Sequence, residues 1–590
     1  MNIYKDRISK IRQLMAKKSI NYYLVVTDDY HSSEYVGDYF KCREYLSGFT
    51  GSAGTLLIGE NFAGLWTDGR YFLQAESELT GSDIKLFKSG QPNVPTISQF
   101  LSENMTNGQV LGYDGRTVSF ALGSNLRDAL KGLNIQFMID IDLVGVIWND
   151  RPAFPAAPIW LMNDKQAGLT RQEKLVNLRA NIEAPILITS LDDIAWLYNY
   201  RGDDILFTPV AMSYTIVSQD TAVLYINPET ITPQDREILT NDGITIKPYL
   251  DVYKDVTNIP TLQIDKNSVN EILVKSIANP IYRTNPTLLA KAVKNPTEIA
   301  NERIAHLKDG IAFTKTIYWL KKHAKAGTHR ELTELDVADR ILSDRSSQSD
   351  FISLSFASIV ATEDHGAIIH YEPTPETNKT IGDGFLLMDT GAQYLQGTTD
   401  VTRTIIMGEA SETEKACYTA VLRGNLNLGL AVFPEGTTGN ALDVLARGPI
   451  WELGLDFNHG TGHGVGYLLN VHEGPNAVRK SGIGTPFKAG MITSNEPGVY
   501  LEDRFGIRLE NLILCHRLPE EYESRRFMDF ETLTLVPFDR DAIMPNMLSP
   551  VELDILNEYH AHVYEELSPY MNDEEKAWLQ EATAEIYYED

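Results

Sequence analysis

Cysteine is nearly missing from this sequence: Cys42, Cys417 and Cys515 are the three in 590 residues. An odd number, spread over the whole chain, excludes a disulfide framework and predicts a reducing, cytoplasmic setting. Long apolar runs are missing too. None approaches the roughly 18–20 residues that a bilayer-crossing helix needs, so no membrane partner is expected. Positive charge is in short supply: 52 Lys and Arg stand against 80 Asp and Glu, a formal net charge of −28. That balance argues against nucleic acid and anionic surfaces as partners. The acids are spread along the chain, where they serve solubility. The opening stretch "MNIYKDRISKIRQLMAKKSINYYLVV" lacks the apolar core and small-residue cleavage site of a secretory leader. Its Ile8, Ile11, Leu14 and Met15 follow an amphipathic helix, and a strand comes next.

What is there describes a soluble globular chain, 43% hydrophobic and 22% charged, long enough for three or four domains. Two stretches echo each other. One runs from helix "RISKIRQLMAKKSI" through strand "NYYLVVT" to "REYLSGFTGSAGTLLIG". The other runs from helix "RQEKLVNLRANI" through strand "APILITS" to "DDIAWLYNYRGDDI". They predict two similar α/β domains, joined at the Pro-rich "RPAFPAAP" of 151–158. Asn295-Pro296-Thr297 then caps a new long helix. Beyond it, helices over 297–325, 331–345 and 411–432 accompany the strands "FISLSFASIVA", "GFLLMDTGAQY", "TTDVTRTIIMG", "GMITSNEPGVYLE" and "FGIRLENLILCH". No crossover helix separates the second and third strands, which predicts antiparallel neighbours. Ser549-Pro550 and Asn572 start two closing helices.

The stretch "NHGTGHGVG" sets His459 and His463 four residues apart, a spacing that on a helix would let both clasp one metal. Its four glycines argue against a helix, each costing roughly 1 kcal/mol relative to alanine. Asp389 ends the apolar run "FLLMD", and Asp400 follows eleven residues later; by themselves the pair serves equally well as turn caps. Glu496 lies in "ITSNEPGVY" and Glu510 in "GIRLENLILC", where strand alternation sends Arg508 and Glu510 to one face and Ile507 and Leu509 to the other. Charges on a buried strand need a polar cavity or ions. Four carboxylates and one imidazole form a ligand set whose charge balances two divalent cations. Without thiolate, that set points to manganese, cobalt or zinc.

Together, "LLMDTGAQYLQGTTDVTRT", "HGTGHGVGYLLNVHEGP", "NEPGVYLEDRFGIRLENL" and "GAIIHYEP" resemble the pita-bread metallopeptidases, specifically their three-domain aminopeptidase P group. The likeness extends through "SGFTGSAGTLLIGENFAGLWTDGRYFLQAE", "LDDIAWLYNYRGDDI", "AKAVKN" and "DEEKAWLQEAT", and so over nearly the whole chain. It implies an α/β multidomain fold: creatinase/prolidase-type α/β domains over 1–157 and 158–296, a pita-bread α+β catalytic domain over 297–540, and a helical extension over 541–590. It implies metal ligation by Asp389, Asp400, His463, Glu496 and Glu510, with two divalent ions, Mn²⁺ foremost and Zn²⁺ or Co²⁺ as alternatives. The resemblance also divides the paired histidines: His463 binds metal and His459 lines the substrate pocket. His370 corresponds to a carbonyl-polarising, proton-handling histidine, His472 to its active-site partner, and Arg508 to an arginine beside the last ligand. Glu496 is the carboxylate expected to carry the proton. His365, His560 and His562 match no motif position and are expected to be ordinary surface or helix histidines.

The implied activity is an Xaa-Pro aminopeptidase, releasing the first residue from peptides with proline second, as a cytoplasmic homodimer. The nearest alternative is a prolidase confined to Xaa-Pro dipeptides, which the three-domain length and the HGTGHGVG wording disfavour. A non-catalytic pita-bread protein-binding module and a creatinase-like, metal-free hydrolase are disfavoured because all five ligands are present.

Overall fold

The computed structural model describes residues 2–522 and 525–588. The chain gathers into two compact units, Met1–Asn163 with Leu169–Leu288, and Asp164–Gly168 with Leu289–Asp590.

The first unit holds two six-stranded sheets with one wiring diagram. In the first sheet, Tyr22–Val26 is antiparallel to Thr55–Gly59, which pairs antiparallel with Ala63–Thr67, and Lys85–Lys88 joins in parallel. On the other side Val110–Gly112 and Gln136–Met138 add in parallel. In the second sheet Ile186–Ile188 takes the inner place of Tyr22–Val26. Ser213–Val217, Ala222–Ile226 and Ile244–Lys247 lie on one side, Leu262–Ile264 and Pro280–Tyr282 on the other, and every pairing repeats its sense. The echo in the sequence is therefore a repeated α/β topology. Its helices form where the periodicity requires: Ile3–Lys17 buries Ile8, Ile11 and Met15, and Arg171–Arg179, started by a Thr170–Glu173 capping box, buries Leu175 and Leu178.

The second unit begins its regular scaffold with α1, Pro296–Ala326. Asn295 caps it by accepting from the amides of Thr297 and Glu298, proline occupies the first turn, and Gly327 ends it in the left-handed region. Helix α2, Glu334–Ser346, packs back on α1 around Phe313, Ile317, Val337 and Ile341. A three-stranded sheet follows, made of β1 (Ile359–Thr362), β2 (Phe385–Thr390) and β3 (Val401–Ile406), with β2 in the middle. The expected antiparallel pairing of β2 and β3 is present and sets Asp389 opposite Thr402. After α3 (Glu412–Gly429) and α4 (Gly439–Trp451) come β4 (Gly462–Gly464), β5 (Glu473–Val478) and β6 (Ile492–Asn495). Then follow the ribbon of β7 (Gly498–Leu501) with β8 (Phe505–Arg508), and finally β9 (Asn511–Tyr522) and β10 (Arg525–Thr532). Strands β4, β5, β6, β9 and β10 share one sheet.

Three runs expected as single strands are each broken. "FISLSFASIVA" divides into Phe351–Leu354 and β1, "GMITSNEPGVYLE" into β6 and β7, and "FGIRLENLILCH" into β8 and β9, each half in a different sheet. Pro497 has no amide to continue a ladder. At the third break the Glu510 amide donates to the Thr402 carbonyl at 3.0 Å, leaving its own strand for β3.

The two closing helices, Pro550–Leu567 and Asp573–Ala582, start with Ser549–Glu552 and Asn572–Glu575 capping boxes, as expected. Their Trp578 packs against the α1 side of the core. His560, expected as an ordinary surface or helix histidine, is fully buried on the first of them. Its Nε2 accepts from the Phe538 amide at 3.1 Å, and burial lowers its pKa to about 3, so it stays neutral. Among the described residues no helix is long and apolar enough to cross a membrane.

Candidate metal centre

The candidate ligands stand where strands end or break. Asp389 is near the end of β2, Asp400 immediately precedes β3, Glu496 separates β6 from β7, and Glu510 separates β8 from β9. His463 lies in β4 at a register shift against β5. Regular pairing uses up backbone groups and alternates side chains between faces, so a side chain is most easily re-aimed where pairing stops. Ligand atoms of Asp400, His463 and Glu510 lie within 4.8 Å of one another. His463 Nε2 is 3.5 Å from Asp400 and 3.3 Å from Glu496. Arg508 brings in Asp389, donating from Nη2 at 2.6 Å and Nε at 3.1 Å.

Each ligand is steered by a neighbour. His463 Nδ1 donates to the Gly464 carbonyl at 3.0 Å, which fixes the tautomer and leaves Nε2 toward the carboxylates. Ser494 donates to Glu496 at 2.9 Å and accepts the His463 amide at 2.9 Å. Thr402 donates to Glu510 at 2.8 Å. The glycines around His463 are required by close approach, because a Cβ at Gly462 would collide with the Ser494 carbonyl and one at Gly464 with that of Glu473.

The carboxylates are crowded and dry. Burial, and then repulsion from Asp389 and Glu496, hold Asp400 far above the ordinary carboxylate range. Burial and then Asp400, Glu496 and Asp389 do the same to Glu510. Burial raises Glu496 to about 7, against the pull of Arg508. Asp389 Oδ1 and Glu510 Oε1 are buried without a hydrogen-bond partner, an arrangement that costs on the order of 1–3 kcal/mol per group, more if charged. Two orphaned oxygens, four carboxylates and an oriented imidazole suit divalent cations in type, charge and position.

The other expected residues surround this cluster. His370 occupies the turn after the short helix Glu363–Ala367, and the Ile369 carbonyl before it accepts from Arg508 Nη2 at 3.3 Å. His472 precedes β5 with its ring edge-on to His463, centroids 4.3 Å apart. His459 has a different environment from His463. Its Nδ1 donates to the Gly460 carbonyl at 2.7 Å, and its Nε2 meets Tyr500 Oη at 2.8 Å, which in turn accepts from Arg508 Nη1 at 2.8 Å.

Sequence reasoning missed Tyr500, which joins His459 to Arg508. The signal available was the β7–β8 ribbon, where Gly498 pairs with Arg508 and Tyr500 with Gly506. It also missed Arg447 on α4, whose Nη2 donates to the His459 carbonyl at 2.9 Å, and Asp443, which accepts from Thr461 at 2.6 Å. Lys291 and Lys294 of "AKAVKN" are likewise buried, donating to the two oxygens of Glu473 at 2.8 and 2.7 Å, next to His472. Burial would raise Glu473, but the two ammonium groups hold it below the usual range.

The loop carrying His370 rests on β8 through two glycines, since a Cβ on Gly506 would occupy the space of the Gly366 carbonyl oxygen. Gly506→Ala is therefore expected to displace residues 363–370. Overpacking of this kind costs about 1–3 kcal/mol, and a misplacement near 1 Å costs on the order of 10²-fold in rate. Steady-state kinetics beside urea unfolding checks both; wild-type values in each would show that the loop does not depend on this contact.

Comparison with known proteins places these features in a family. The pattern described as "Metallopeptidase family M24" matches residues 300–517, and that of its C-terminal region matches 526–586. Two patterns for the "Creatinase/Prolidase N-terminal domain" match 7–143 and 150–298. Aminopeptidase P2 of Arabidopsis thaliana is 38% identical over 96% of this chain and 86% of its own length. Xaa-Pro aminopeptidase 1 of Dictyostelium discoideum is 38% identical over 95% and 93%. Among solved structures, the X-prolyl aminopeptidase of Caenorhabditis elegans, described as a cytosolic enzyme with a di-nuclear active site, superposes with a TM-score of 0.95. It is 34% identical and the match covers 99% of this chain and all of that one.

Proposed function

This chain belongs to metallopeptidase family M24, and we propose that it is an Xaa-Pro aminopeptidase, hydrolysing the bond between a peptide's first residue and a proline at position two. The observation that carries this reading is the convergence of the buried Asp400 and Glu510 with the half-buried His463, with Glu496 and Asp389 beside them. These five residues would hold two divalent cations, with manganese preferred for a set rich in oxygen and zinc or cobalt next. Such cations supply Lewis acidity to water and to a carbonyl.

The chain's own groups handle protons and position. A Glu496 carboxylate oxygen takes the proton of the attacking water and passes it to the departing proline nitrogen. The His370 ring N–H faces the carbonyl oxygen and stabilises the charge that develops there. His459, held by Tyr500 and the Gly460 carbonyl, forms a wall of the substrate pocket. His472 backs His463, and Arg508 orients Asp389. Proline's nitrogen is tertiary, so the pocket recognises ring shape and asks for no N–H donor from it. The proposal extends to a cytoplasmic homodimer acting on free peptides.

The test is a peptide series with pure, metal-loaded protein. X-Pro-Y should be cut between X and Pro, while acetyl-X-Pro-Y and X-Ala-Y should be nearly inert. His370→Ala should lower kcat on the order of 10²–10³-fold, as for loss of one oxyanion donor, with a smaller change in KM. Rapid cleavage of X-Ala-Y or of the acetylated peptide would overturn the assignment, and cleavage of X-Pro dipeptides alone would make it a prolidase.

A further inference from the structure

Glu334, in the first turn of α2, has no exposed surface and lies outside the ligand cluster. Its Oε1 accepts from the Thr362 amide at 2.9 Å and from His365 Nδ1 at 2.8 Å. Its Oε2 accepts from the Tyr371 hydroxyl at 2.7 Å and the Lys379 amide at 3.0 Å. Three of these four donors belong to residues 362–371, the segment that leaves β1 and passes through His370. The His365 and Tyr371 rings also pack on each other, centroids 4.2 Å apart. A buried carboxylate with four donors is held in place, and it holds its donors in turn.

His370 therefore lies between two anchors. On one side the Ile369 carbonyl is bonded to Arg508, which also grips Asp389. On the other the Tyr371 hydroxyl is bonded to Glu334. The sequence offered His365 no role, yet its ring braces the turn from within. We propose that Glu334, His365 and Tyr371 form a positioning device for His370, fixing the direction of its ring without touching substrate. The proposal rests on the aminopeptidase reading, in which His370 faces the scissile carbonyl.

The experiment is a double-mutant cycle on the full-length, metal-loaded enzyme, reading kcat, KM and bound metal with X-Pro-Y. His365→Ala and Tyr371→Phe should each lower kcat by about tenfold to a hundredfold, the scale of a small misplacement. KM should change less than about twofold, because the contact matters in the transition state, and metal content should stay at the wild-type level. His365→Asn, whose amide can replace the Nδ1 donor, should recover most of the lost kcat. In a His370→Ala background His365→Ala should have little further effect, since a device for orienting His370 has nothing left to orient. An equal loss in both backgrounds, or an unchanged kcat in the single variants, overturns the proposal. If wild-type enzyme does not cleave X-Pro-Y, or His370→Ala turns over normally, the aminopeptidase reading or the role of His370 fails instead.

Discussion

His463→Ala is expected to empty the metal centre, while His459→Ala leaves it filled. The two residues are four apart in a glycine-rich stretch, and their ring nitrogens have been assigned by their surroundings. His463 gives Nδ1–H to the Gly464 carbonyl and presents Nε2 to Asp400 and Glu496. His459 engages Gly460 and Tyr500 with its two nitrogens. Loss of a partner bonded to a metal ligand already costs about 10–100-fold in metal affinity, so loss of the ligand itself should exceed that. Activity at limiting metal should vanish with it. His459→Ala should keep its metal and lose turnover through a loosened pocket wall. Elemental analysis after gel filtration decides the matter: equal metal loss in both variants would refute the division.

The second large effect concerns stability. Glu473→Gln is expected to destabilise the second unit by about 3–5 kcal/mol, the usual cost of leaving a buried charge without its partner. Here two ammonium groups, Lys291 and Lys294, each with 1% of the side chain exposed, would lose the carboxylate to which both donate. The combined variant Lys291→Met, Lys294→Met, Glu473→Leu should recover most of the loss, because replacing buried ion partners together by apolar residues is often neutral or better. Urea unfolding is the measurement. An unmoved midpoint for Glu473→Gln, or a triple variant weaker than the single one, would sink the idea. The same contacts bear on any fragment of the catalytic unit, since a piece beginning at 297 lacks both lysines and the Asn295 cap, whereas one beginning at 289 keeps them.

Much of this was legible beforehand because it follows from local rules. Asn295-Pro296, Ser549-Pro550 and Asn572 announce helix starts by chemistry that needs no tertiary context. The β2–β3 pairing follows from the absence of a crossover between them. The repeated sheets of the first unit could be suspected from their order of elements. The break at 496–497 is marked by Pro497. The one at 509–510 was harder to see, because Ile507, Leu509 and Leu512 are as apolar as a continuous strand, and what divides it is the bond of the Glu510 amide to Thr402 of β3. The ligands could be named by resemblance, but their supports could not. Glu334 and the two lysines act across long stretches of chain, Arg447 and Tyr500 act partly on nearer neighbours, and nothing in their local sequence marks these roles.

The placement of the ligands at breaks between sheets has a consequence for the order of folding. Arg508 and Asp389 are 119 residues apart, and Thr402 and Glu510 are 108 apart. Closing loops of that length is entropically expensive and is repaid only when the sheets on both sides exist. The α1–α2 pair and the β2–β3 hairpin, by contrast, join near neighbours in the chain. They are the natural early structures, and the centre is assembled late, when β3, β6 and β8 converge. Substitutions at Asp400 or Glu510 should therefore alter the unfolding rate far more than the folding rate, and those at Val337 or Phe313 in the α1–α2 contact should do the reverse.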